Sequence, residues 1–150
     1  MPAILENILT TVQAEIQALN LTDIPDSHIY LQKVPTTRDF TSNDFPAILI
    51  TPMGVPKINP QEGTNLRDQI EYPIGVFMVD NDNQNQTINR DKYLTWYEQI
   101  MKKFRTPRLA GVSSIVNSFV APGTVVDQDW FQVGEYHAGL TLWFISWETR

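Results

Sequence analysis

Residues 134–150 of the chain, GEYHAGLTLWFISWETR, are unusually apolar, and their pattern decides the fold. Successive side chains of a β-strand point to opposite faces of its sheet. One face of this stretch then carries Leu140, Leu142 and Phe144, and the other carries Thr141, Trp143, Ile145 and Trp147. A strand that is apolar on both faces is typical of the interior of a sheet. We therefore predict an interior strand over Leu140 to Trp147, with helices against one face and loops or a neighbouring subunit against the other.

Two other segments repeat apolar residues at the spacing of an α-helix. In the first, residues 3–19, the apolar face consists of Leu5, Ile8, Leu9, Val12, Ile16 and Leu19. The second runs from Arg90 to Phe104, and its apolar stripe consists of Tyr93, Tyr97, Ile100, Met101 and Phe104, with Trp96 at the margin. Both segments predict amphipathic helices that cover a sheet.

Strand patterns precede and follow the second helix. Before it they lie at His28 to Val34, at Ala47 to Thr51 and within Leu66 to Asp80. After it they lie at Ser114 to Val120, Thr124 to Asp127, Trp130 to Val133 and Leu140 to Trp147. The order αβββαβββ predicts a single α+β domain over residues 1–150, with a mostly antiparallel sheet and two helices on one face. Pro73 cannot donate a sheet hydrogen bond, so we expect it at an edge or a bulge.

Composition excludes several classes of function. The 150 residues include no cysteine, which removes disulfides, thiol nucleophiles and zinc-thiolate sites. The net charge of −6 disfavours a nucleic-acid partner, because phosphate binding needs a basic surface. The sequence lacks an apolar run of the roughly 18 residues that a membrane span needs. It also lacks a basic segment followed by an apolar one at its start, so we expect a soluble protein that does not bind a membrane.

No motif in the sequence predicts catalysis or a cofactor. One set of residues has the offsets of a calcium-binding EF-hand loop: Asp80, Asp82, Gln84 and Asp91. Asn85 stands where that loop needs glycine, so we interpret the set as a solvated loop. A hydrolase would need His28 or His137 beside a nucleophile, and the sequence has no G-x-S-x-G turn to supply one. We therefore predict a protein that is not an enzyme and that holds neither metal nor cofactor.

The order of elements and one sequence pattern resemble a known family. A leading amphipathic helix, a hairpin with a long loop and a central helix that ends in basic residues precede a closing hairpin. The closing part reads W-F-x-x-G-x-Y-x-x-x-L-x-L from Trp130 to Leu142, and the last strand ends LTLWFISWETR. This layout resembles the small tail-terminator and tail-completion proteins of tailed bacteriophages and prophages.

The resemblance implies a structural virion protein, assembled in the cytoplasm of the bacterial host and located in the tail or neck of the particle. Proteins of that family form homo-oligomeric rings, commonly hexamers, that cap the tail tube and join it to the head-neck connector. In such a ring the long loops at 35–46 and 52–65 would extend to the neighbouring protomer. The candidate interface residues are Met53, Val55, Ile58, Trp130, Phe131, Trp143 and Trp147.

Three other interpretations stay open at the level of the sequence. The chain is also compatible with another neck, connector or minor tail protein. A small hydrolase that uses one of the histidines is a second alternative. The third is a monomeric α+β module that binds a small ligand in an apolar cavity, which would be lined by Trp96, Phe77 and Trp143.

Overall fold

A computed structural model of the chain describes residues 3–54, 56–59, 66–81, 89–105, 109, 111–122 and 135–149. The helices are α1 (Ile4–Ala18) and α2 (Arg90–Phe104). The strands are β1 (Ile29–Leu31), β2 (Ala47–Pro52), β3 (Lys57–Asn59), β4 (Arg67–Asn81), β5 (Ile115–Pro122) and β6 (Glu135–Thr149). The fold is α+β, as predicted, with a mostly antiparallel sheet. The strands predicted at Thr124 to Asp127 and Trp130 to Val133 lie outside the described residues.

The sheet has the strand order β1-β2-β4-β6-β5, and β3 also pairs with β4. Among the described strands only β1 and β2 run parallel to each other. β4 and β6 pair over their whole length, from Arg67 opposite Thr149 to Asn81 opposite Glu135. Because β5 pairs with the other side of β6, the apolar stretch at the end of the sequence is an interior strand, as predicted. It is also longer at both ends than the predicted Leu140 to Trp147.

Both helices pack on the face of the sheet that carries Leu142 and Phe144. From the helices this core receives Ile8, Leu9, Val12, Ile16, Tyr93, Trp96, Tyr97, Ile100 and Phe104. The prediction of Trp96 at the margin of its stripe is wrong, because this side chain is fully buried. Its indole N–H donates a 2.8 Å hydrogen bond to the carbonyl of Thr22, which lies in the turn after α1. The spacing of α2 alone contains no information about that partner.

The helices are also joined directly by one ion pair. Lys103 on α2 lies 2.7 Å from the carboxylate of Glu15 on α1. The cluster of basic residues at the end of α2 therefore has at least one structural partner within the chain. α1 ends at Ala18, and Asn20 beyond it has the left-handed backbone conformation, with φ 50°, that is common after a helix.

The connection predicted between β2 and β4 contains a strand that the sequence pattern missed. β2 ends at Pro52, β3 begins at Lys57, and both pair with the side of β4 that faces away from β6. Pro73 lies between the two pairings, and its carbonyl accepts a 3.0 Å hydrogen bond from the N–H of Met53. The N–H that proline lacks would point to the same side, at the break between β2 and β3. The expectation that Pro73 lies at an edge or a bulge is wrong, since β4 is an interior strand that pairs regularly with β6; proline is tolerated because its missing N–H would face the gap between β2 and β3.

Candidate functional site

The face of the sheet turned away from the helices, here called the open face, is covered in part by the chain itself. A small cluster lies there, made of Ala47, Leu49 and Val79 with Tyr30, Phe40, Phe45 and Phe77 packed against it. Phe40 and Phe45 belong to the loop between β1 and β2. The ring of Phe40 lies 5.2 Å from that of Tyr30 and 5.4 Å from that of Phe45. This loop therefore packs on its own sheet through its two phenylalanines, and its contact with a neighbouring protomer stays a prediction.

Polar contacts hold the same loop in place. Thr41 and Asp44 form a reciprocal cap around one short turn, and the Thr41 N–H donates a 2.8 Å hydrogen bond to the Asp44 carboxylate. That backbone hydrogen bond lowers the pKa of the Asp44 carboxyl. Thr37 is buried and donates a 3.2 Å hydrogen bond to Glu135 on β6. The loop is thus tied to the far strand as well as to β1 and β2.

Two glycines make room for side chains over the middle of the open face. Gly139 lies opposite Phe77, and Gly75 is two residues before Phe77 on the same strand. A Cβ atom on Gly139 would lie 2.9 Å from Cδ1 of Phe77, and one on Gly75 would lie 2.5 Å from Cγ of Met53. Carbon atoms in proteins do not pack that closely. The phenyl ring and the methionine therefore occupy the space that side chains at these two positions would need.

Beyond Phe77 the open face carries a strip of large apolar side chains. We call it the aromatic strip and define it as Phe119, Trp143, Ile145 and Trp147. Phe119 on β5 stacks on Trp143 of β6, with ring centroids 6.0 Å apart and planes within 10° of each other. Phe119 is 43% exposed, and the other three side chains are half-buried. Contiguous exposed apolar side chains mark interaction sites on soluble proteins, so this strip is the candidate functional site.

A charged pair borders the aromatic strip on the side of β3. Glu71 lies opposite Ile145 in the pairing of β4 with β6, and Lys57 lies opposite Glu71 in the pairing of β3 with β4. The Lys57 Nζ atom is 3.9 Å from the Glu71 carboxylate, and its side chain is 66% exposed. A surface pair of this length contributes little to stability. The ammonium group therefore remains available to a second partner on the open face.

The structure places the predicted interface residues in three groups. Trp143 and Trp147 lie in the aromatic strip. Met53 also lies on the open face, against Gly75, and is exposed. Ile58 is exposed as well, but it pairs with Ile70 and so points to the face that carries the helices. The remaining three, Val55, Trp130 and Phe131, lie outside the described residues.

Sequence reasoning missed Phe119 as a member of the site. Its segment, Ser114 to Val120, was correctly predicted as a strand, and alternation places Phe119 on one face of it. Which face that is depends on the register, which sets Phe119 opposite Trp143. A bulge between Ile115 and Asn117 shifts this register by one residue. The alternation within this segment was therefore readable from the sequence. The pairing of β5 with β6, which assigns Phe119 to the open face, was not.

The ligand cavity considered from the sequence does not form from its three predicted residues. Trp96 is buried between the sheet and the helices. Phe77 and Trp143 lie on the open face, opposite Gly139 and Pro73. Since the sheet stands between Trp96 and the other two rings, the three cannot line one cavity.

The two histidines make contacts that suit structure rather than catalysis. Nδ1 of His28 donates a 3.0 Å hydrogen bond to the carbonyl of Pro46. The carboxylate of Glu135 lies between Nε2 of His137, at 2.9 Å, and the hydroxyl of Thr37, at 3.2 Å. A nucleophilic triad needs the imidazole between the hydroxyl and the carboxylate. This order of contacts does not activate the Thr37 hydroxyl.

The prediction of a solvated loop at Asp80 is wrong. Asp80 is buried near the end of β4, where it accepts a 2.9 Å hydrogen bond from the Tyr93 hydroxyl and lies 3.8 Å from Nζ of Lys92. Tyr136 stacks on Tyr93 with ring centroids 3.9 Å apart, and burial raises the pKa of the Tyr136 phenol. Asp82 and Gln84 lie outside the described residues. Within the part of the chain that the structure describes, no group of three acidic or histidine side chains could hold a metal ion.

Two comparisons with known proteins, one against family models and one against curated sequences, give no match. No helix in the described ranges is both long and apolar enough to span a membrane. The aromatic strip is therefore the feature from which a function can be inferred.

Proposed function

We propose that the chain is a structural subunit that assembles with copies of itself into a ring, as a tail-terminator or tail-completion protein of a tailed phage or prophage. The aromatic strip is the single observation that carries this proposal. Burial of apolar surface contributes roughly 25 cal/mol per Å². In a monomer, the two stacked aromatic rings keep part of their apolar surface in contact with water. A neighbouring copy that covers the rings would bury this surface and so stabilise the assembly.

The proposed location is the virion, at the end of the tail tube nearest the head. The partners of the ring are the tail-tube protein on one side and the head-neck connector on the other. The net charge of −6 supports this place, because an acidic ring lets DNA pass without retaining it. No catalytic role is proposed for any residue.

The alternative of a monomeric ligand-binding module has less support. Its predicted lining residues lie on opposite sides of the sheet, with Trp96 in the helical core and Trp143 on the open face. The core side is filled by large side chains that include Trp96, Phe144 and Ile100, all essentially without exposure. A packed core with an accessible aromatic strip suits association better than enclosure.

Light scattering coupled to size exclusion tests the proposal. The full chain at micromolar concentration should elute with a mass six times that of one subunit. Trp147→Ser should shift the protein to smaller species with an unchanged circular dichroism spectrum. Leu94→Ser is the matched control, since Leu94 is exposed on α2 and should leave the mass unchanged. A strict monomer at every concentration, also in the presence of purified tail-tube protein, would overturn the proposal.

A second experiment addresses the tail directly. Purified chain added to polymerising tail-tube protein should shorten the tubes, and electron microscopy should show a ring at one end of each tube. When the Trp147→Ser variant is added instead, the tubes should be as long as tubes that polymerise without any added chain. Tubes that the wild-type chain neither shortens nor binds would contradict the capping role, while a ring in solution would still support self-assembly.

A further inference from the structure

A short turn directly after β1 holds an exposed valine. We call residues 32–36 the valine turn. The side-chain amide of Gln32 closes it, since Nε2 donates a 3.2 Å hydrogen bond to the Thr36 carbonyl and Oε1 accepts a 3.1 Å hydrogen bond from the Thr36 N–H. Val34 lies midway between these two residues and is 64% exposed. A group that is held in place before contact loses little freedom on binding, so the turn presents Val34 ready to pack.

The valine turn and the aromatic strip belong to opposite sides of the sheet. β1 is the first strand in the order β1-β2-β4-β6-β5, and β5, which carries Phe119, is the last. The turn begins on the β1 side, where the Gln32 N–H donates a 2.9 Å hydrogen bond to the Ile50 carbonyl of β2. One copy can therefore use the turn and the strip at the same time, each with a different neighbour. A contact between two different surfaces is the kind that closes a ring.

The distribution of charge favours a second copy of the chain as the partner of the valine turn. Residues 31–38 contain two bases, Lys33 and Arg38, and no acid. The rest of the chain has nine bases and 17 acids, a net charge of −8. Copies of the chain repel one another as wholes, but the segment around the turn is attracted to the acidic remainder of another copy. Both bases are exposed and can act in such a contact.

The aromatic strip offers a surface that suits both Val34 and Lys33. Phe119 and Trp143 stack with nearly parallel planes, and Phe119 is 43% exposed. An aliphatic side chain packed on these rings buries apolar surface of both partners. The faces of aromatic rings also attract ammonium groups, and Lys33 adjoins Val34 in the turn. β5 itself contains no charged residue that would repel the lysine.

We infer that the subunits join through the valine turn of one copy and the aromatic strip of the next, with Val34 packed on the stacked rings of Phe119 and Trp143. This inference rests on the proposed function, because it names the surface of a second copy that covers the strip. Side chains make the contact, and the backbone pairing of each sheet stays as it is. Each copy gives its turn to one neighbour and its strip to the other.

Chemical crosslinking between two variants tests the contact. The chain has no cysteine, so introduced thiols react without competition. Pro35→Cys and Ala121→Cys place thiols beside the contact and retain Val34 and Phe119. Ala121 projects to the same face as Phe119, about 7 Å further along β5. A short bismaleimide added to an equimolar mixture should give a covalent dimer with one copy of each variant. Leu94→Cys in place of Pro35→Cys is the matched control and should give none.

The outcomes separate this inference from the proposed function. A wild-type oligomer whose variants give no mixed dimer would overturn the contact between turn and strip and leave the ring intact. Ala121→Cys that couples mainly to itself would overturn it in favour of a two-fold contact between two strips. A wild-type monomer at every concentration would overturn both proposals.

Substitutions in the valine turn test the same contact by its strength. Val34→Ser should weaken association about tenfold, because one aliphatic side chain no longer packs on the rings, and Val34→Ile should preserve it. Lys33→Glu should weaken association about two- to fivefold, the size of an exposed cation–π contact, and Lys33→Arg should not. Both side chains are exposed, so the urea midpoint should stay the same in each variant. Unchanged association of Val34→Ser would contradict the inference.

Discussion

Replacement of Gly139 by alanine tests whether the ring of Phe77 closes the middle of the open face. The new Cβ atom would lie 2.9 Å from Cδ1 and 3.0 Å from Cε1 of that ring. The optimal separation of two carbon atoms is about 3.5–4.0 Å. Overpacking of this kind costs about 1–3 kcal/mol. We expect Gly139→Ala to lower the free energy of unfolding by that amount.

The same substitution should change sign when the ring is absent. In a Phe77→Ala background the added methyl group meets no aromatic carbon, and its effect on the unfolded chain remains. A glycine-to-alanine substitution at a compatible site stabilises the folded protein by about 0.4–1 kcal/mol, because it lowers the conformational entropy of the unfolded chain. The two substitutions should therefore be coupled by about 1.5–4 kcal/mol, the difference between these two effects.

Urea denaturation of the four proteins in this cycle measures the coupling, with the midpoint and slope fitted together. Gly111→Ala is the control, because Gly111 has φ +88° and its nearest neighbour for a Cβ is 3.9 Å away. Its cost comes from the backbone and should be equal with and without Phe77. Additive effects of Gly139→Ala and Phe77→Ala would refute the close packing described for the open face.

Three further predictions concern the core and its rim. Trp96→Phe removes the indole donor to the turn carbonyl and should lower the free energy of unfolding by about 1–3 kcal/mol in urea titrations, because that carbonyl then lacks its partner. Burial and a 2.7 Å hydrogen bond to Glu148 raise the pKa of Tyr72 above 10.0. Folding therefore holds this proton more tightly, stability should fall as pH rises above about 10, and Tyr72→Phe should reduce that fall in an alkaline titration. Lys103→Met should cost about 0.2–1 kcal/mol, and the loss should shrink in high salt.

The periodicity of the sequence predicted the regular elements that bury a continuous face. The bounds of α2 are those expected from its apolar stripe, and β6 lies in the sheet interior because it is apolar on both sides. β3 was missed because three residues between prolines and glycines contain no readable alternation. The packing of the loop before β2 on its own sheet was not predicted, although its two phenylalanines are a signal for it.

Only those residues of the site that lie on a single strand, β6, could be predicted from the sequence. Trp143 and Trp147 follow from the alternation within β6 alone. Phe119 enters the strip through a cross-strand register that depends on a bulge, and local patterns do not contain such long-range pairings. Asp80 was misjudged for a similar reason, since its partner Tyr93 belongs to α2, a separate element of the chain.

The fifteen-residue pairing of β4 with β6 divides the molecule into two parts that are each local in sequence. β1 to β4 lie within residues 29–81, and β5 and β6 lie within residues 115–149. In the sheet these parts meet along a single seam. Opening the seam would separate the two halves of the sheet at once, so its amides should exchange with solvent together and only through global unfolding. The three-residue pairings of β1 and β3 can open one by one. When the seam between β4 and β6 has opened, β4 can instead pair with the β5–β6 half of another copy of the chain.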